Sequence, residues 1–203
     1  MKEYRAYYVL GSLILVSLNI LVFYTCCSPL LVVNAQRNNE VDEIRVQGGV
    51  WSLAIDSNTD RVYVIAADSD SVFEIDGTNN RVINQFLLGG RPMDTIAVNP
   101  NTHLVYTILQ NGSIVTLDTS SNNISMLSNP NIRNPVQISV NPSTNSIYVT
   151  SSYDNATYVI DGNTSALERT IIDIKSPWRI GINSNTNMIY VISLISHIGY
   201  LCS

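Results

Sequence analysis

The residues able to do chemistry are few and poorly arrayed for catalysis. The two histidines, His103 and His197, are far apart in the chain, and neither has a cysteine or carboxylate at metal-ligand spacing. Asp56-Ser57-Asn58-Thr59-Asp60 sets oxygen atoms at alternate positions, as a calcium loop does, but lacks the glycine and distal glutamate that complete one. Asp68-Ser69-Asp70 is shorter still, and a turn between strands accounts for both stretches. No Ser/His/acid order, phosphate-cradling glycine loop or nucleophile elbow is present, and Gly89-Gly90 reads as a turn. The sequence therefore predicts no catalytic residue, no metal and no cofactor.

Residues suited to binding are easier to find. Trp51, Arg91, Asp94, Arg133, Gln137, Trp178 and Arg179 offer aromatic faces, guanidinium forks, a carboxylate and an amide. Four glycosylation sequons begin at Asn111, Asn123, Asn155 and Asn163. Whether any of these form a set depends on the elements that carry them.

Those elements are repeats. Leu53-Ala54-Ile55-Asp56-Ser57-Asn58-Thr59 recurs from Ile96, from Ile138 and from Ile180, each time followed by a run centred on Tyr63, Tyr106, Tyr148 or Tyr190. The period is about 42 residues, in the range that marks solenoids and propellers. A second landmark keeps step: Ile75-Asp76-Gly77, Leu117-Asp118-Thr119 and Ile160-Asp161-Gly162. Alternation with β-branched and aromatic residues predicts strands, and the Asn, Asp, Gly, Pro and Ser clusters between them predict turns. In the third unit the strands fall at Ile138 to Val140, Ser146 to Thr150, Thr157 to Ile160 and Leu167 to Ile172. Four strands in such a unit make one propeller blade, which hides its apolar faces only by lying against neighbours. The expected fold is all-β: a β-propeller of four-stranded antiparallel blades at about 49–91, 92–134, 135–176 and 177–203, the last incomplete. Small residues at Ala54, Ala97, Ser139 and Gly181 fit innermost strands, where blades crowd. Residues 41–47 read as an orphan outer strand.

The run Asn141 to Thr150, with Val159 to Gly162, resembles the YVTN-type β-propeller repeats of archaeal and bacterial surface-layer and secreted proteins, over roughly residues 49–195. That resemblance implies a propeller on the cell exterior with a binding or scaffolding role. A looser likeness joins it to lactonase-like and streptogramin-lyase-like propellers, whose catalytic residues have no counterpart positions here. Propeller ligands sit at one end of the sheets, on the loops before each inner strand and those joining the second and third strands. The seven binding-type residues above fall in the first set of loops and differ from unit to unit, as a site on a repeat scaffold does.

Composition and the leader bound the rest. The net charge is −5 and charged residues are 13 % of the chain; without a basic face, nucleic acid is excluded as a partner. No charge lies between Arg5 and Arg37, a stretch longer than the about 20 apolar residues that cross a membrane. Residues 1–36 are thus expected to be a signal peptide or an N-terminal hydrophobic helix anchoring the chain, with Lys2 and Arg5 inside and residues 37–203 outside. Val33-Asn34-Ala35 fits a cleavage site, so both fates stay open. Cys26, Cys27 and Cys202 give no disulfide framework. Two endings also stay open: closure into four blades, or the front of a larger ring with self-association through open blade edges. The expected function is an extracytoplasmic cell-surface module, binding a surface protein or glycan. An extracytoplasmic lactonase- or lyase-like enzyme and a truncated fragment without independent activity are the alternatives.

Overall fold

The turn residues impose the architecture first. In the computed structural model, which describes residues 32–37, 40–127, 132–172 and 174–194, each landmark Asp or Asn folds its side chain onto the turn it opens. Asp56 Oδ1 accepts the Asn58 N–H at 2.9 Å, Asn99 accepts that of Asn101 at 3.0 Å, Asn141 that of Ser143 at 3.0 Å and Asn183 that of Asn185 at 3.1 Å. Each such turn closes on a left-handed residue, Asp60, His103, Asn145 or Asn187. Asn and Asp tolerate that conformation better than most residues, which explains their abundance.

Between the turns run the strands. Two lead the chain, β1 (Val32–Arg37) and β2 (Glu40–Arg45). Unit 1 holds β3 (Val50–Asp56), β4 (Arg61–Ala66), β5 (Ser71–Asp76) and β6 (Arg81–Leu87). Unit 2 holds β7 (Pro92–Asn99), β8 (Leu104–Leu109), β9 (Ile114–Asp118) and β10 (Asn123–Leu127). Unit 3 holds β11 (Pro135–Asn141), β12 (Ser146–Ser151), β13 (Ala156–Asp161) and β14 (Leu167–Ile171), and unit 4 holds β15 (Pro177–Asn183) and β16 (Met188–Ser193). Units 1 to 3 are four-stranded sheets paired in chain order, whereas β1–β2 and β15–β16 are separate two-stranded sheets. All pairs are antiparallel.

Strand alternation assigns each face a neighbour. Tyr63 and Ile65 point forward, into a core shared with Val105, Val115 and Leu117 of unit 2. Tyr106 and Ile108 point forward again, onto Ile138, Ile147 and Val149 of unit 3. Tyr148 meets Ile180, Ile189 and Val191 of unit 4. The residues between them, such as Val64 and Val105, look backward. Each fully buried aliphatic contributes about 1.5–3 kcal/mol, so it is the seams that hold the stack together.

One expectation needs revising, and one is filled in. The small residues of the inner strands each stand opposite a landmark tyrosine, Ala54 opposite Tyr63, Ala97 opposite Tyr106, Ser139 opposite Tyr148 and Gly181 opposite Tyr190, and Ala97 packs against the core shared by units 2 and 3. The strand expected alone at 41–47 is β2, and it has a partner. β1 takes in residues 32–36 of the expected leader and sets Val33 and Ala35, with Ile44, against Val62, Val64 and Ile75. The rest of the leader and the tail from 195 lie outside the described residues, and among the described residues no helix is long and apolar enough to cross a membrane.

Candidate functional site

Of the seven residues expected in the loops before the inner strands, only Arg91 and Arg133 lie there; Trp51, Asp94, Gln137, Trp178 and Arg179 fall within the first residues of β3, β7, β11 and β15, because those strands begin earlier than the alternation suggested. With the turns joining second to third strands, most of them form three groups at one end of the sheets. In the first, Arg91 Nη2 lies 3.0 Å from Asp68 Oδ1, and its guanidinium stands 5.3 Å from the Trp51 ring centre. Asp68 Oδ2 also accepts the Gly49 N–H at 3.1 Å, which ties the loop before β3 to the turn after β4. In the second, Arg133 donates from Nε and from its backbone N–H to Asp154, at 2.8 and 2.9 Å, and lies 4.6 Å from the Tyr153 ring. Tyr158 donates to the same carboxylate at 2.9 Å. In the third, Arg179 stands 5.9 Å from the Trp178 ring and 3.8 Å from Asp94, which belongs to unit 2. That contact skips a whole unit, as inner strands converging on an axis allow.

Electrostatics set the groups apart. Burial pushes the Asp154 carboxyl up, but the hydrogen bonds from Arg133, Tyr158 and Ser151 outweigh it and hold the group below its ordinary value. Burial, reinforced by Asp154, drives Tyr158 up to about 12. The Arg91 and Arg179 pairs are half exposed and contribute on the order of 0.2–1 kcal/mol; their guanidinium groups remain open to a ligand. Gln137 stands apart from all three. Its amide accepts the Ile180 N–H at 2.8 Å and donates to the Ile180 carbonyl at 3.4 Å, bridging units 3 and 4. Asn111, Asn123, Asn155 and Asn163 are all exposed. Asn155 Oδ1 accepts the Ser176 N–H and Asn163 Oδ1 accepts from the Asn145 amide.

The opposite end carries a cleft that sequence reasoning missed. Thr59, Arg61, Tyr63, Glu74, His103, Thr119 and Ser120 line about 260 Å³ between units 1 and 2. His103 Nδ1 lies 2.7 Å from Asp56 Oδ2 of the preceding unit, and Arg61 bridges Glu74 at 3.5 Å and Asp76 at 2.9 Å. Burial raises the Asp56 carboxyl, but His103, the Asn58 N–H and Thr59 bring it below the ordinary range. Burial wins at Glu74, lifting it despite Arg61. A carboxylate-backed imidazole beside a raised glutamate has the makings of proton transfer. The signal was in the sequence all the same: Asp56 replaces the Asn of the other units, and His103 replaces Asn145 and Asn187. The other two seams hold neutral pairs, Asn99 with Asn145 at 2.7 Å and Asn141 with Asn187 at 3.0 Å.

Four-stranded sheets stacked face to face, with inner strands converging and a half-sheet at each end, define the class of protein: this is a segment of a β-propeller. Comparison with solved structures agrees. The chain is similar to one described as Kuenenia stuttgartiensis Hydrazine Synthase, with a TM-score of 0.61 and 18 % identity, over 71 % of this chain and 42 % of that one. Likeness at that identity speaks for the fold alone, and this chain spans less than half of the other's length. No family model matches the chain, and no curated protein matches it.

Proposed function

We propose that this propeller segment is an extracytoplasmic, cell-surface binding module, and that it captures a glycan at the end where its inner strands begin. The observation that carries the reading is the recurrence there of one constellation: an exposed aromatic ring, an arginine over it and a carboxylate beside the arginine, at Trp51/Arg91/Asp68 and Trp178/Arg179/Asp94. Sugars present an apolar C–H face and a rim of hydroxyls. An exposed aromatic ring with a guanidinium and a carboxylate close by offers an apolar surface for the one and charged hydrogen-bonding groups for the other. The extracytoplasmic location draws on the uncharged stretch between Arg5 and Arg37.

The test is a glycan array probed with the full chain in non-ionic detergent, followed by calorimetry on the best ligand. Binding that weakens at least tenfold in both Trp51→Ala and Trp178→Ala supports the reading. A chain that binds no glycan, or variants that bind like the parent, overturns it. An enzymatic reading draws on the His103 and Glu74 cleft, at the other end. Lactone or lyase turnover abolished by His103→Gln and untouched by Trp178→Ala would favour that reading over this one.

A further inference from the structure

We propose that two copies of this chain complete one another: β15–β16 of each copy and β1–β2 of the other join into one four-stranded blade, closing a two-fold ring. Connectivity points there first. In units 1 to 3 the chain runs from the inner to the outer strand and then straight into the next inner strand. By that rule β15 and β16 hold the first and second places of a blade. β2, which leads directly into β3, holds the fourth place of the blade before unit 1, and β1 holds the third. Among the described residues each hairpin fills the two places that the other leaves open, and within one chain the two form separate sheets. Among the described residues β16 pairs only with β15 and β1 only with β2, which leaves each with an edge that can template another strand.

The repeat also fixes a register. In unit 1, Ala66 at the end of β4 stands opposite Ser71, which stands opposite Leu87 at the end of β6. The counterparts are Ser193, Val32 and Arg45, and Val32 is indeed opposite Arg45. Carried across the junction, this sets Ile192 opposite Val33 of the second copy and Tyr190 opposite its Ala35. Strand alternation supplies a check that could have failed. Val33 and Ala35 face forward onto unit 1, and Tyr190 and Ile192 occupy the forward face of unit 4, so the two pairs fall on the same side.

Burial gives the reason to join. The forward residues of unit 4 are bare, with Tyr190 and Ile192 each 61 % exposed, while their counterparts Tyr106 and Ile108 are covered by the next unit. The backward residues of β3 are bare as well: Leu53 is 49 % and Ile55 58 % exposed, against 1 % and 9 % for Ile138 and Val140. β1–β2 shares a core with β4, β5 and Val50 at the start of β3, a core that includes neither Leu53 nor Ile55. Adding β15–β16 of a second copy would lay Tyr190 and Ile192 on Leu53 and Ile55, reproducing the packing of the three existing seams. Contiguous bare apolar surface of this kind marks an interaction site.

The test is a pair of full-length chains in which Cys26, Cys27 and Cys202 are serine, one carrying Val33→Cys and the other Ile192→Cys, co-expressed with different tags and oxidised mildly in non-ionic detergent. A disulfide joining the two tags, together with a mass of two 22.4 kDa chains for the unsubstituted protein after subtraction of detergent, is the expected result. A monomeric mass with the disulfide forming only inside a doubly substituted chain would mean that each copy closes on itself, and overturns the proposal. A monomeric mass with no cross-link in either format overturns it too. The mass of the unsubstituted chain decides the matter even where a cysteine variant fails to fold.

Discussion

At the end of the sheets where the inner strands begin, Asp154 ties together the loop before β11 and the turn after β12. Its side chain is almost fully buried and receives the Arg133 N–H and guanidinium and the Tyr158 hydroxyl. Because the folded state holds its carboxyl below the ordinary value of 3.8, the stability it lends is fully present above that value and is lost as pH falls through the lower, folded one. Asp154→Asn keeps the shape but weakens charge-assisted bonds, at a cost of about 1–3 kcal/mol near pH 6. Thermal melts from pH 6 down to pH 3 check this. The parent's melting temperature should fall off below about pH 4, and the variant should start lower and show a shallower decline; a variant that matches the parent across the range would contradict it.

At the scale of the element, the turns after the inner strands are the staples between units. Asn58 donates to the Pro100 carbonyl, Asn101 to that of Pro142 and Ser143 to that of Ser184, at 2.7, 2.9 and 2.9 Å. Behind these lies a side-chain pair at each seam, a carboxylate with an imidazole between units 1 and 2 and two asparagines elsewhere. The neutral version is therefore a tested replacement within the same molecule. Asp56→Ala, which strands His103 and the Asn58 N–H, should cost about 1–3 kcal/mol. The double change Asp56→Asn with His103→Asn should recover most of it, leaving the protein within about 1 kcal/mol of the parent. Urea unfolding of the parent, both single variants and the double variant gives the coupling directly. A double variant no better than Asp56→Ala would mean that the seam depends on the Asp56–His103 pair itself.

For the whole molecule, the order of strands, their spacing and the all-β class were legible in the sequence, because turn residues and period-two alternation are local signals. The reason for the landmark glycines was not. A Cβ on Gly162 would lie 2.5 Å from the Asn145 carbonyl oxygen, and one on Gly77 2.9 Å from that of Asp60. These are contacts between turns that only a folded sheet brings together. Thr119 fills the same place in unit 2 by donating its hydroxyl to the His103 carbonyl at 3.1 Å. The candidate site was legible as a set of residue types, but not their pairing: Arg91 reaches back to Asp68 of unit 1, Arg133 bonds Asp154 of unit 3, and Gln137 turns into the seam with unit 4. The cleft stayed hidden because its carboxylates and its imidazole come from different units.

Each unit covers the next, with Tyr63, Tyr106 and Tyr148 facing forward. Nuclear Overhauser contacts between tyrosine rings and specifically labelled methyl groups test it most directly. The account predicts Tyr63 close to Val105 and Leu117, Tyr106 close to Ile138 and Val149, and Tyr148 close to Ile180 and Val191, each contact reaching into the following unit. Rings that see only methyl groups of their own repeat would contradict it, since the sheets would then not be stacked.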